Sequence, residues 1–239
     1  MIPKAPFAAL LIAAALPAAA EIAPAEIAER VAMVLASEPA RSAMPGLLAH
    51  FPEEAQHIVD RLRAVVSEPD GFTAAGFERL STLNAEIMAP ILGMVAQAPD
   101  AELVALLDTQ IRVLQGLASQ PLLCARVVVE GPGALGPDHR YLTGGVLEEA
   151  YRQRFAVAHA QQGATPRRGP AHDADYAAIS QLLADQGSDA AWFDRIAAMN
   201  PQDPGLCRTY TEYLTVARDA DFPGADRIRA DLATGTGLY

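Results

Sequence analysis

Along most of the chain, apolar residues return every three or four positions, the spacing of one face of an α-helix. Ala55, Ile58, Val59, Leu62, Val65 and Val66 share such a face, with Asp60, Arg61 and Arg63 turned away from it. Ile27, Val31, Val34 and Leu35 make a shorter stripe before it. Phe77, Leu80, Ile87, Ile91 and Val95 make a longer one after it, interrupted by Pro90, which is expected to kink or split that helix. Leu103, Leu106, Leu107, Ile111, Leu114 and Leu117 form a fourth stripe. Later ones run through Leu147, Ala150, Tyr151, Phe155 and Ala158, then Tyr176, Ile179, Leu182 and Leu183, then Trp192, Phe193, Ile196 and Met199. Cys207, Tyr210, Leu214 and Ala217 make the last.

The punctuation agrees with the stripes. Pro24, Pro52 and Pro99 stand at or near helix beginnings, with Glu26, Glu53, Glu54, Asp100 and Glu102 in the first turns, where acids complement the helix dipole. Ser188 and Asp189 read as a cap before the Trp192 helix. Strand-like alternation is almost absent. Its one rival is the valine run inside Ala125 to Glu130, read here as the end of a helix. The predicted class is all-α, a multi-helix bundle of about eight to ten helices. Residues 130–145 and 163–170 are Gly- and Pro-rich loops. A single domain over residues 21–239 is expected, with a candidate division near residues 130–140.

The first stretch has a different character. Lys4 is followed by an apolar run from Ala5 to Leu16, then Pro17 and the small residues Ala18 to Ala20. This is the three-part layout of a secretory signal peptide, and the run is too short for the roughly 20 residues a bilayer requires. Cleavage after Ala20 is expected. It leaves 219 of the 239 residues, starting at Glu21, in a periplasmic or secreted protein with no transmembrane segment. At that length the chain does not depend on staples for its core.

Charge narrows the partners. Lys and Arg total 18 against 29 Asp and Glu, a formal net charge of −11. Such a chain repels phosphate backbones and anionic surfaces, so no nucleic-acid partner is expected. The only lysine, Lys4, sits in the predicted signal. That removes Schiff-base chemistry, a P-loop lysine and a Ser-Lys dyad from the mature chain.

Several short motifs fail on physical grounds. Gly131, Gly133 and Gly136 spell G-x-G-x-x-G, but Pro132 deletes an N–H where a pyrophosphate needs a donor. Glu54 and His57 have the E-x-x-H spacing of di-iron bundles, yet no second such motif exists, and Pro52 at a first helical position puts His50 outside that helix. No metal and no cofactor is expected. His139, His159 and His172 lack ligand-like neighbours beyond Asp138 and Asp173. Neither G-x-S-x-G nor S-x-x-K occurs, and the pairs Glu53/Glu54 and Glu148/Glu149 point about 100° apart on a helix, which suits a solvated face better than a glycosidase pair. Arg152, Arg154, Arg167 and Arg168, with Tyr151, form the only local basic cluster, a candidate anion-binding group.

Cys124 and Cys207 are the only cysteines. Each follows P-x-L, which places each in the first turn of a helix. In an oxidising compartment two cysteines allow one intramolecular pairing, so a Cys124–Cys207 disulfide is expected.

Three functions then compete. The first is a non-catalytic exported helical protein that binds a cell-envelope partner or itself. The second is a binder of a small apolar or anionic molecule, or of a lipid, with a pocket near Tyr151, Tyr210 and Tyr213 and an arginine anchor. The third is a hydrolase with a dispersed site near His172, Asp173 and Asp175. A large apolar pocket favours the second; a His ring bonded to a Ser or a carboxylate favours the third.

Overall fold

The periodic stripes fold into helices, and no strand occurs among the described residues. The structure is a computed structural model that describes residues 22–235, apart from Pro39, Phe72, Pro137 and Asp138. The expected signal peptide lies outside the described residues. In chain order the helices are α1 (Pro24–Ala36), α2 (Ala40–His50), α3 (Pro52–Val66), α4 (Ala74–Val95), α5 (Asp100–Gly116), α6 (Pro121–Glu130), the single turn α7 (Arg140–Thr143), α8 (Val146–Ala160), α9 (Asp173–Asp185), α10 (Ala190–Ala198), α11 (Leu206–Asp219) and α12 (Ala225–Gly235). Leaving aside the four-residue α7, that is eleven helices among the described residues, one more than the upper end of the sequence expectation.

The helix starts follow the expected chemistry. Pro24, Pro52 and Pro121 occupy the first turns of α1, α3 and α6. There the missing N–H removes a donor that has no intrahelical partner anyway. Asp189 caps α10 by accepting from the Trp192 N–H at 2.9 Å. Pro90 does not split α4, which continues from Ala74 to Val95. Both Pro90 and Glu86, whose carbonyl loses its partner, are exposed, which leaves the freed group open to solvent. The valine run belongs to α6, and Gly131 ends that helix at φ 82°. The G-x-G-x-x-G sequence therefore follows a helix, not the strand that a dinucleotide fingerprint needs.

α5 is the hub. Leu103, Leu106, Leu107, Ile111, Val113 and Leu114 are all buried on it. It packs against α8, α11 and α12. α8 in turn packs against α2 and α4, while α3 lies against α1, α2 and α4. One core cluster runs from Leu47 on α2 to Ala233 on α12, so residues on both sides of 130–140 share it. A small second cluster of Val31, Leu62 and Val66 joins α1 to α3.

The disulfide is present. Cys124 on α6 is bonded to Cys207 on α11, with the Cα atoms 5.4 Å apart. Both cysteines are buried in the core cluster. Pro121 takes the expected first helical position before Cys124; α11 instead begins at Leu206, so Pro204 stands two residues ahead of it.

Candidate functional site

An apolar concavity lies among α1, α2, α3, α4 and α8. It is an apolar pocket of about 240 Å³. Its floor is built from buried side chains: Leu47 of α2, Leu62 of α3, and Tyr151 and Phe155 of α8. Tyr151 and Phe155 are four apart and so project from one face of α8; their rings stack at 6.3 Å between centroids. Phe155 also meets Phe51 edge-on at 6.3 Å. The walls are half-buried Met44 of α2, Ile58 of α3, and Leu80, Ile87 and Met88 of α4. Three exposed polar residues, Ser37, Arg61 and Asn84, form the rim.

Gly46 explains why α2 and α8 close the floor so tightly. A Cβ at that position would sit 2.9 Å from Cδ2 of Phe155 and 3.0 Å from the Cα of Arg152. Any side chain there would force the two helices apart.

Charged groups surround the floor. Glu38 is buried and accepts from Arg41 Nε at 2.9 Å and from the Ser42 hydroxyl at 2.6 Å. Arg154 is buried on α8, and burial pushes its guanidinium down to about 9, which leaves it charged at neutral pH. The Tyr151 phenol is pushed above its ordinary range, first by burial, against the pull of the Arg154 charge. It stays protonated, and its hydroxyl has no hydrogen-bond partner among the described residues. Burying a hydroxyl without a partner costs on the order of 1–3 kcal/mol. Tyr151→Phe is therefore expected to stabilise the ligand-free protein by about 1 kcal/mol. Thermal unfolding would show this as a melting temperature raised by roughly 2–4 °C; a fall would mean that the hydroxyl is satisfied.

Arg61 stands out electrostatically. Its side chain makes a single hydrogen bond, from Nε to Nε2 of His57 at 3.4 Å, and no carboxylate lies within ion-pair range among the described residues. Two positions on, Arg63 pairs with Asp60 at 3.1 Å. Periodicity marked Arg61 only as turned away from the core face of α3. That is true, and it is what places Arg61 on the pocket rim.

The four arginines of the sequence cluster do not share one surface. Arg154 is buried on the inner face of α8. Arg152 is exposed and lines a polar cleft with Asp108, Arg112 and Glu149. Arg168 donates from Nε to Asp226 at 2.9 Å and from Nη1 to the carbonyls of Ala96 and Ala98 at 2.8 and 2.7 Å, so it ties the 163–170 loop to the end of α4. The exposed Arg167 contributes its backbone N–H to Gln97 at 2.7 Å. The three tyrosines separate as well. Tyr151 lines the pocket, whereas Tyr210 and Tyr213 cluster with Trp192, the last two rings 6.2 Å apart.

The His172 region is a structural joint. Asp175 is buried; it accepts from the His172 backbone N–H at 2.8 Å and holds Arg227 of α12 through two bonds of 2.8 and 2.6 Å. Among the described residues no histidine ring is bonded to a Ser hydroxyl or a carboxylate; the ring partners are Arg61 for His57 and the Gly136 N–H for His139. The Arg227 guanidinium, then the His172 N–H, hold Asp175 down to about 2 from its usual 3.8. A depressed carboxyl stabilises the fold above its usual range, and that contribution is lost as pH falls from about 4 towards 2. Asp175→Asn is expected to lower the melting temperature at pH 7 and to flatten its acid limb between pH 4 and pH 2.5. An acid limb as steep as in the parent protein would exclude Asp175 as a contributor.

His50 ends α2, outside the helix that carries Glu54 and His57, and meets His159 of α8 at 5.6 Å between ring centroids. Among the described residues, no three His, Cys, Asp or Glu side chains are grouped to hold a metal ion, and no helix is long and apolar enough to cross a membrane. Comparison with known proteins finds no matching family model, no matching curated protein and no matching solved structure.

Proposed function

We propose that the protein is a non-catalytic binder of a small apolar molecule, carried in the pocket between α1–α4 and α8, and that it works in an oxidising, extracytoplasmic compartment. The observation that carries the reading is the pocket itself: a buried apolar floor, half-buried apolar walls and polar residues confined to the rim. Ligand sites have this makeup, mostly apolar with a few placed polar groups. Its 240 Å³ exceeds the roughly 150 Å³ of an engineered apolar cavity that takes up benzene. The buried disulfide supports the compartment, because such bonds persist where the environment is oxidising.

A macromolecular partner has less behind it. The large exposed hydrophobic side chains Met33, Leu48, Phe77, Leu122 and Tyr176 lie on five different helices, the ordinary condition of a protein surface. Among the described residues the hydrolase reading lacks the His-to-Ser or His-to-carboxylate contact that it needs.

Titration with a neutral naphthylamine fluorophore tests the reading. Saturable binding is expected, reduced at least tenfold by Ala43→Trp, which puts a large ring where a half-buried wall residue now stands. No saturable binding, or binding that Ala43→Trp leaves intact in a folded variant, would overturn it.

A further inference from the structure

We infer that the ligand is a single-chain amphiphile with an anionic head, its chain in the pocket and its head on Arg61 beside Asn84. The inference rests on the pocket reading above and adds the chemical class of the ligand. Floor and walls supply no polar side chain except Tyr151, whose hydroxyl is sealed among neighbours. A charge drawn into that space would lose its hydration without compensation. The charged end of any ligand must therefore stay at the rim.

At the rim the choice of charge is one-sided. Among the described residues Arg61 is the only charged one lining the pocket, and no Asp or Glu lines it. In a chain with 29 carboxylates and 18 cations, an arginine without a carboxylate partner runs against the average composition. Arg167 shares that condition among the described residues but does not line this pocket, and Arg152 acts on Glu149 in a separate cleft. Because Arg61 bonds His57 through Nε alone, the Nη1 and Nη2 donors remain available. A guanidinium edge of that kind matches a carboxylate or a phosphate through paired hydrogen bonds. Asn84 on α4 adds an amide to the same rim. The volume of about 240 Å³ falls below the roughly 300–1,000 Å³ of pockets for drug-sized ligands, which suits one medium-length chain better than two.

The test uses the full chain at pH 7.5 and competition with the neutral fluorophore. The probes are dodecanoate, dodecyl phosphate and neutral 1-dodecanol, each kept below its micelle concentration. The parent protein is expected to bind at least one of the two anions tenfold or more tightly than dodecanol, and whichever anion wins names the head group. Arg61→Gln is expected to bring that ratio close to one, and Arg61→Lys to restore part of it. Circular dichroism confirms that both variants are folded. If dodecanol binds but neither anion does better, or if Arg61→Gln leaves the ratio unchanged, the head-group inference is wrong while the pocket stands. If none of the three displaces a fluorophore whose binding Ala43→Trp weakens, the single-chain inference is wrong while the pocket stands; if the fluorophore itself does not bind saturably, the pocket reading fails with it.

Discussion

Replacing Cys124 and Cys207 together by alanine is expected to destabilise the protein by up to about 4.5 kcal/mol. The bridge joins residues 83 apart, and the chain-entropy model for a loop of that length gives roughly this figure at 25 °C. For a chain of this size the loss corresponds to a melting temperature lower by about 9–18 °C. Calorimetry of the double variant, and of the parent protein unfolded with and without a phosphine reductant, measures it directly. A loss below about 1 kcal/mol would mean that packing of α6 against α11 already confines the unfolded chain. Because the pocket is built from α1–α4 and α8, the double variant is expected to bind the fluorophore normally well below its own melting point.

The second large effect belongs to Arg229. Its side chain is 7% exposed and forks onto both oxygens of Asp100 at 2.7 Å, binding α12 to the start of α5. The same guanidinium donates from Nη1 to the carbonyls of Ala217 and Ala220 at 3.1 and 2.9 Å, closing the end of α11. Arg229→Ala removes three helices' worth of anchoring at once. Breaking a buried pair costs about 3–5 kcal/mol. Asp100 is half exposed and can rehydrate, which brings the expectation to about 2–3 kcal/mol. Denaturant unfolding checks it, with Arg126→Ala for comparison. Arg126 pairs with Glu130 at 3.0 Å on the surface of α6, where such a pair contributes about 0.5 kcal/mol or less. Equal losses for the two variants would contradict the role given to Arg229.

Arg229 also shows where the sequence stops being legible. The stripes of α3, α5, α8 and α11 could be read directly because apolar residues fill most of their inward positions, although Thr109 and Gln110 of α5, Arg154 of α8 and Thr209 of α11 are buried as well. α12 could not, since its inner face carries Arg229 between Ile228 and Ala230, and all three are buried. α2 escaped for another reason. Pro45 and Gly46 break its pattern, yet Gly46 is what allows the close approach to α8. These two helices raise the count above eight to ten.

The disulfide was legible because two cysteines leave one pairing, and an apolar stripe placed Cys207 inward. The arginine cluster was not, because closeness along a chain is not closeness in space. Arg152 and Arg154 are two apart on a helix and so point in different directions, one outward and one into the core. The pocket was least legible of all. Five helices contribute to it, and nothing in any single stripe says that their inward side chains leave space between them. Only Tyr151, among the three tyrosines proposed to surround a ligand, lines it.

Methionine methyl resonances provide the most direct measurement of whether that space takes a ligand. Met44 and Met88 line the pocket, whereas Met33, Met94 and Met199 do not. With methyl-labelled methionine and added dodecanoate, the signals of Met44 and Met88 are expected to shift saturably together, while those of the other three stay in place. Shifts spread over all five, or confined to the exposed Met33, would show that the amphiphile adsorbs to the surface and that the pocket is not its site.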